Sequence, residues 1–450
     1  MNKRKKLVFF LCFILISHCS FDNKSGIWSG ENEKKRISEL EKKQNEDNDS
    51  SFINIYSSED LYNKEISLEK SISLPEPIKN SSWPMSNLNY QNLLGNIYLS
   101  GINNMFLKKK IGKNKFSTVK VISSPLIHDR SIIFSDNNGT IFNITFDGEI
   151  IWKKNIYQKV YKKIYKNLVF SIYQNNLYVA DNLGFIYSIN LLNGKVEWIK
   201  NHSIPLKSDI KVYDNKIFLI NQDNRIVCFN TKDGTKIWDI RTISSFIKVQ
   251  NFLSSAISKQ GDLIVINSTG DLLKTKGNSG NMLWSFNTLP TPMLHDADFF
   301  KSSKIVLSEN NIIISVKSSI FSFDLSSGYN NWSQEVGTVG APIVVENNIF
   351  AVTDNGFFVI LNKNNGKIIS STNILKVLKK GKQNTVITGY IMGSGKIYST
   401  TANGYLIVSS AASGKVENFI KIGDPVASSP IITDGKLYIL TKNSRILGFN

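Results

Sequence analysis

One short phrase recurs seven times along the chain and constrains its fold more than any other feature. Each copy contains a small polar residue, then a glycine, and then a defined position four residues after the glycine, here called the tryptophan slot. Five copies fill that slot with tryptophan: Trp152, Trp198, Trp238, Trp284 and Trp332. Two later copies, with Gly366 and Gly414, have Ser370 and Asn418 in the slot instead. From Gly148 to Gly414 the spacing averages about 44 residues, which is typical of four-stranded propeller blades.

Short runs of β-branched and aromatic residues lie between these glycine turns, separated by Asn, Asp and Gly, as in an antiparallel meander. After the seventh turn the chain supplies three strands and ends. Residues 104–111 align with residues 150–156 and place Leu107 in the tryptophan slot. The sequence therefore predicts an all-β, eight-bladed propeller of four-stranded antiparallel blades, closed by pairing an N-terminal strand with the C-terminal blade. We expect the tryptophans to pack between neighbouring blades.

The first eighteen residues have the pattern of a secretory signal peptide. Residues 2–6 are basic, and residues 7–16 form an apolar run too short to span a bilayer comfortably. Residues 16–19 resemble a bacterial lipobox, in which cleavage precedes a cysteine that is then acylated. We expect lipid on Cys19, although His18 stands where the lipobox has a small residue. Ordinary cleavage near Ser20, which would release a soluble periplasmic protein, is the alternative.

The segment that follows the leader has the composition of a tether. Residues 29–51 are dense in Glu, Lys, Asn and Asp and contain almost no apolar side chains, so burial cannot offset the entropy of ordering them. The predicted organisation is a signal peptide at 1–18, a disordered polar tether at 19–82 and the eight-bladed propeller at 83–450.

The composition excludes several classes of function. The formal charge is +18, but lysines are scattered along the sequence without an arginine cluster, so we predict no nucleic-acid partner. Of three cysteines only Cys228 lies beyond the leader, which rules out a disulfide framework in a processed chain. The four histidines lack metal-ligand spacing, and no nucleophile array, phosphate loop or paired-carboxylate site is present. We predict no catalytic residue, no metal, no cofactor and no small-molecule substrate.

The repeats, the lipoprotein-like leader, the Trp83-Pro84 entry and the closing residues 434–440 together resemble BamB-type proteins. These are the propeller lipoproteins of the outer-membrane β-barrel assembly machinery, within the quinoprotein-like (PQQ-like) propeller superfamily. The resemblance implies a non-catalytic periplasmic scaffold, lipid-anchored at the periplasmic face of the bacterial outer membrane. The partners it implies are the periplasmic repeat domains of a BamA-like barrel subunit and the other lipoproteins of the assembly complex.

The resemblance also implies two partner-contact loops, after the third and fourth blades, at residues 242–253 and 287–300. The second loop carries the family's Leu-x-Asp-x-Asp pattern, and the first is apolar but lacks the expected arginine. The candidate partner-binding residues are Phe246, Ile247, Val249, Leu294, Asp296 and Asp298. In a closed propeller both connections should emerge side by side on one rim. An Asp-x-Asp sequence can also serve only to stabilise a local turn.

An enzyme is the alternative within the same superfamily. Quinoprotein dehydrogenases hold pyrroloquinoline quinone with Ca²⁺ through several converging oxygen ligands, a catalytic carboxylate and, in many members, adjacent cysteines. This chain has no adjacent cysteine pair and is shorter than those enzymes. Asp296 and Asp298 supply only two carboxylates.

Overall fold

The computed structural model describes residues 62–113, 123–161, 164–243, 253–289, 300–379, 382–426 and 428–450, together with two isolated two-residue strands. The chain divides into two compact units, Met1–Asp60 and Leu61–Asn450. In the first unit, β1 (Ser20–Phe21) pairs antiparallel with β2 (Trp28–Ser29). All other described strands belong to the second unit.

Eight four-stranded antiparallel sheets make up the second unit, which confirms the predicted eight-bladed propeller. Blades 1 to 7 each run from their innermost to their outermost strand in chain order. Blades 1 to 4 are β4 to β7 (Leu126–His128, Ser131–Ser135, Thr140–Thr145, Ile150–Asn155), β8 to β11 (Leu168–Tyr173, Asn176–Asp181, Phe185–Asn190, Val196–Asn201), β12 to β15 (Lys211–Tyr213, Lys216–Ile220, Arg225–Asn230, Lys236–Arg241) and β16 to β19 (Ser255–Ile257, Leu263–Ile266, Asp271–Thr275, Met282–Asn287). Blades 5 to 7 are β20 to β23 (Val306–Ser308, Asn311–Val316, Ser319–Asp324, Asn330–Gln334), β24 to β27 (Ile343–Val345, Asn348–Val352, Phe357–Asn362, Ile368–Asn373) and β28 to β31 (Ile387–Gly393, Lys396–Thr401, Tyr405–Ser410, Val416–Lys421).

Blade 8 is composite, as the sequence predicts. Its inner strands are β32 (Ile431–Thr433), β33 (Lys436–Leu440) and β34 (Arg445–Phe449), and its outer strand is β3 (Met105–Lys110), which pairs antiparallel with β34. This pairing joins the two ends of the propeller and closes the ring. The described part of the chain also contains two short 3-10 helices, Lys159–Tyr161 and Ile374–Val377.

The middle strands of the blades are buried almost throughout their length. For example, β13 has four buried residues after one half-buried residue, and β14 has four buried residues between two half-buried ones. Each middle strand lies between two neighbouring blades, so both of its faces are covered and apolar residues need not alternate with polar ones. Cys228 in β14 is fully buried in this way.

The glycine turns and the tryptophans form the contacts between successive blades. Five of the turn glycines lie against the tryptophan of the preceding blade, where a side-chain carbon would come within 2.4–2.9 Å of the indole. Each indole N–H also donates to a carbonyl of the next blade. The five pairs are Trp152–Leu191 (2.9 Å), Trp198–Thr231 (3.1 Å), Trp238–Gly277 (3.0 Å), Trp284–Leu325 (3.3 Å) and Trp332–Lys363 (2.9 Å). Between blades 8 and 1, a side-chain carbon on Gly148 would come within 2.5 Å of Lys109 and 3.3 Å of Leu107, so Leu107 lies in the tryptophan position but donates no hydrogen bond.

Blades 6 and 7 lack the tryptophan, and residues 62–74 lie against them instead. Ile66 forms an antiparallel bridge with Ser371, and the Ser370 hydroxyl donates to the Ile66 carbonyl (3.2 Å). Both the Ile72 N–H (2.9 Å) and the Ser71 hydroxyl (3.2 Å) donate to the Ala412 carbonyl. The sequence assigns this segment to the tether. In the structure its backbone and hydroxyl groups form hydrogen bonds with blades 6 and 7, the two blades whose repeats have no tryptophan.

Residues 83–99, here called the cap segment, cross the ring on the side of the innermost hairpin turns. Their backbone forms hydrogen bonds or bridges with blades 1, 2, 4, 5, 7 and 8. The pairs are Trp83–Ile127, Pro84–Ile172, Tyr90–Ile257, Gln91–Leu307, Ile97–Gly393 and Leu99–Gly435. Because blades 1 and 8 are both among these, the cap segment reinforces the ring near its point of closure.

Candidate partner-binding rim

The residues predicted to bind a partner lie outside the described part of the chain. They are Phe246, Ile247, Val249, Leu294, Asp296 and Asp298, and the predicted lipidation residue Cys19 also lies outside it. The structure does describe the bases of both loops. These are Thr242, Ile243 and Leu253 for the first loop, and residues 287–289 and Phe300 for the second.

One turn of blade 4, residues 267–270 between β17 and β18, contacts the bases of both loops. On one side the Asn267 amide donates to the Thr242 hydroxyl (3.2 Å) and to the Ile243 carbonyl (3.4 Å). On the other side the Thr288 backbone N–H and hydroxyl donate to the Gly270 carbonyl (2.8 and 2.7 Å). The two loops therefore start from one rim, on either side of this turn.

The far ends of the loops are anchored in the core. Leu253 is buried and its N–H donates to the Lys207 carbonyl (2.6 Å), while Phe300 is buried in front of β20. Lys301, which follows Phe300, pairs with Asp354 of blade 6 at 3.0 Å. Both loops are thus held at each end by a buried apolar residue or a buried hydroxyl, so their bases have a defined spacing.

The exposed side chains at the base of the first loop include one that the sequence analysis did not single out. Arg241, the last residue of β15, is exposed and forms no ion pair with a described residue. Ile243, two residues on, is 69% exposed. The family pattern expects an arginine inside the loop, and Arg241 stands just before it. The sequence indicates Arg241 only through its position at the end of a predicted outer strand, directly before the loop.

Asp239 stands two residues before Arg241 in β15. It accepts hydrogen bonds from Lys236 (2.6 Å) and from Arg225. These bonds, above all the one from Lys236, hold the pKa of Asp239 below its usual range. Asp239 is therefore neutralised within the blade.

Three charged residues lie near the axis of the ring. The ammonium group of Lys211 is fully buried and donates to Asn92 Oδ1 (2.5 Å), to the Ser86 carbonyl (3.1 Å) and to the Asn89 carbonyl (3.2 Å), all in the cap segment. Lys304 forms an ion pair with Asp209. Burial lowers the pKa of Lys211 to about 7. Burial alone would raise the pKa of Asp209, but the charges of Lys304 and Lys211 outweigh it and lower that pKa.

The axial cavity beside these residues does not fit a quinone cofactor. Its volume is about 160 Å³, smaller than typical cofactor pockets, and the one carboxylate among its described lining residues, Asp209, is already paired with Lys304. Ca²⁺ needs six to eight oxygen ligands, several of them carboxylates or carbonyls. Over the described ranges, no cluster of three or more His, Cys, Asp and Glu side chains could hold a metal ion.

The sequence matches the family described as "Outer membrane protein assembly factor BamB" over residues 138–372, just over half of the chain. The chain belongs to the BamB family. The match confirms the resemblance inferred from the repeats. The BamB of Yersinia pestis is 20% identical over 370 residues, which cover 75% of this chain and 90% of that protein.

Solved structures show the same fold in BamB proteins and in enzymes. BamB from Moraxella catarrhalis superposes with a TM-score of 0.64 at 9% identity, covering 77% of this chain and all of that one. Quinohemoprotein alcohol dehydrogenase from Comamonas testosteroni superposes with a TM-score of 0.61 at 12% identity, covering 80% of this chain and 76% of the enzyme. At such identities the likeness shows the propeller alone, so the function of this BamB-family chain has to be argued from its own residues.

None of the helices in the described ranges is long and apolar enough to cross a bilayer.

Proposed function

We propose that this BamB-family protein is a non-catalytic periplasmic scaffold that binds the periplasmic repeat domains of the barrel subunit in the outer-membrane assembly machinery. The observation that carries the proposal is the contact of one turn, residues 267–270, with the bases of both candidate loops. This arrangement supports a composite site in which Phe246, Ile247 and Val249 form the apolar centre, and Leu294, Asp296 and Asp298 lie beside it.

A closed propeller suits this role because its loops are carried on a rigid frame. Binding through a pre-ordered surface loses less conformational entropy than binding through free segments. The two carboxylates of the second loop would meet Lys or Arg side chains of the partner. Where such a pair is desolvated, removal of one member costs about 2 kcal/mol or more, because its partner stays buried without a counter-charge.

The axis offers no competing site for chemistry among the described residues. Its lysines and its carboxylate are engaged with one another or with the cap segment. The proposal therefore assigns the axis to stability and the rim to binding. It further places the protein at the periplasmic face of the outer membrane, anchored through lipid on Cys19, together with the other lipoproteins of the complex.

The test replaces Asp296 and Asp298 with Asn and measures affinity for the isolated repeat domains by calorimetry. A loss of about 30-fold is expected, which corresponds to about 2 kcal/mol. The matched control is Asp129→Asn with Asp214→Asn. These residues sit in exposed hairpin turns at the other ends of the strands, and both have positive φ values that Asn tolerates.

Both double variants should show the wild-type unfolding temperature and the same change in net charge. Binding that is undiminished in the Asp296 and Asp298 variant removes these residues from the site. Binding that falls equally in both variants shows only a dependence on net charge.

A further inference from the structure

Five of the lysines that look scattered in the sequence lie on the outer strands of two neighbouring blades. The outer strand of blade 8, β3, and the outer strand of blade 1, β7, contain five lysines and no acidic residue: Lys108, Lys109, Lys110, Lys153 and Lys154. None of the other six outer strands has a net charge above +1. The two basic strands belong to neighbouring blades, because pairing with β34 makes β3 the outer strand of blade 8, next to blade 1. We call this surface the closure seam.

Most of the charge on the closure seam is uncompensated. Lys109 pairs with Glu149 at 2.7 Å. Lys108, Lys110, Lys153 and Lys154 are exposed, and none forms an ion pair with a residue of the described ranges. Within the described ranges, four ammonium groups on these two strands therefore have no ion-pair partner.

A groove of about 690 Å³ runs between the two blades at the closure seam. Lys110, Lys113 and Lys153 line it together with the Lys109–Glu149 pair. The other acidic residue in the lining is Asp136, whose carboxylate accepts backbone N–H groups of Lys113, Asn138 and Thr140. The lining thus has four lysines against two carboxylates, so the charge of the groove is positive.

Apolar side chains interleave with these lysines. Met105 of β3 and Ile150 and Ile151 of β7 are 40%, 47% and 49% exposed. Lysines beside exposed aliphatic residues suit a surface that meets lipid phosphates and the headgroup layer together. An acidic peptide would use the lysines but would leave the aliphatic side chains without a role.

We propose that the closure seam binds an anionic, phosphate-bearing lipid surface. Lys108, Lys110, Lys153 and Lys154 contact lipid phosphates, and Ile150 and Ile151 enter the headgroup layer. The seam lies on blades 8 and 1, whereas the candidate partner loops leave blades 3 and 4, half a ring away. Lipid binding is therefore independent of the proposed scaffold function and leaves the rim accessible.

The test uses the full-length protein with Cys19→Ser, so that no acyl chain contributes. Its binding is measured by co-sedimentation with vesicles of phosphatidylcholine, alone or mixed with phosphatidylglycerol. The seam variant carries glutamine in place of Lys108, Lys110, Lys153 and Lys154. The matched control carries glutamine at four other exposed lysines that form no ion pair with described residues, namely Lys195, Lys232, Lys259 and Lys367.

We expect binding only to the anionic vesicles, with an affinity that falls as salt is added. Each lysine near an anionic surface contributes about a fivefold gain in affinity, so the seam variant should lose roughly 100-fold or more. The control should stay within about fivefold of the parent. Ile150→Ser with Ile151→Ser should weaken binding while leaving its salt dependence unchanged.

Three results would overturn the proposal. The first is equal loss in the seam variant and the control, which reduces the effect to net charge. The second is unchanged binding by a seam variant that unfolds at the normal temperature. The third is tight binding of a polyglutamate peptide to the seam without binding of anionic vesicles, which would make the closure seam a site for an acidic protein segment.

Discussion

Trp152 offers the sharpest test of how the blades are held together. Its side chain is 9% exposed, packs on Gly194 of blade 2 and donates to the Leu191 carbonyl at 2.9 Å. Replacing a buried Trp with Ala costs about 3–5 kcal/mol, of which about 1 kcal/mol is the hydrogen bond. For a cooperative unit of roughly 390 residues the unfolding entropy is roughly 0.8 kcal/mol/K, so Trp152→Ala should lower Tm by about 5 °C.

Two companion variants divide that effect. Trp152→Phe keeps most of the packing and loses the N–H donor, so a decrease of about 1 °C is expected. Ile151→Ala alters an exposed neighbour in the same strand and should change Tm by less than about 1 °C. Differential scanning calorimetry measures all three.

A double-mutant cycle with Gly194→Ala isolates the contact between the blades. At Gly194 φ is +69°, and a Cβ would lie 2.9 Å from the indole ring of Trp152. In the wild type Gly194→Ala suffers both the left-handed backbone strain, about 1–2 kcal/mol, and the steric overlap. In the Trp152→Ala background only the strain is left, so the double variant should lose less stability than the sum of the single variants. Strict additivity, or a Trp152→Ala variant with unchanged Tm, would refute the reasoning.

Three further predictions concern the axis, the N-terminal segment and the anchor. Because burial lowers the pKa of Lys211 to about 7, the unfolded state binds more protons than the folded state between about pH 7 and 10. The free energy of unfolding of the wild type, relative to that of Lys211→Met, should therefore rise by about 2 kcal/mol from pH 7 to 9 in urea unfolding. A difference that stays flat or falls contradicts this. Ile66→Pro removes the N–H that donates to the Ser371 carbonyl (2.9 Å), so amide exchange in β27 should accelerate, whereas Lys64→Pro, at a position without such a bond, should leave it unchanged. Mass spectrometry of the mature N-terminus should find acylated Cys19; an unmodified terminus beyond Cys19 in the soluble periplasmic fraction rules out the anchor.

Much of the fold could be predicted because the propeller repeats a local rule. A glycine turn with a tryptophan four positions later specifies one hairpin and one contact with the next blade, and both depend on residues close in sequence. The composite eighth blade followed from the same rule, because residues 104–111 align with an outer strand and place Leu107 in the tryptophan slot. Leu107, placed in the tryptophan slot by alignment alone, contacts Gly148 in the structure.

Pairings between distant residues could not be read in this way. Ile66 and Ser371 are more than three hundred residues apart. The apolar residues of the segment, Ile66, Leu68, Ile72 and Leu74, alternate with polar ones, but this alternation does not indicate which blades the segment will bond. The partner in that case is a backbone carbonyl, which every residue has, so side-chain patterns are silent about it.

The candidate surfaces divide in the same manner. The apolar and acidic residues of the two loops stand out in the sequence, and so do the predicted signal peptide and the predicted lipidation residue Cys19, because each is a short local pattern. Only the tertiary structure shows that a single turn of blade 4 contacts the bases of both loops. The lysines of β3 and β7 belong to segments about forty residues apart in the chain, and they become one surface because pairing with β34 makes β3 the outer strand of blade 8, next to blade 1.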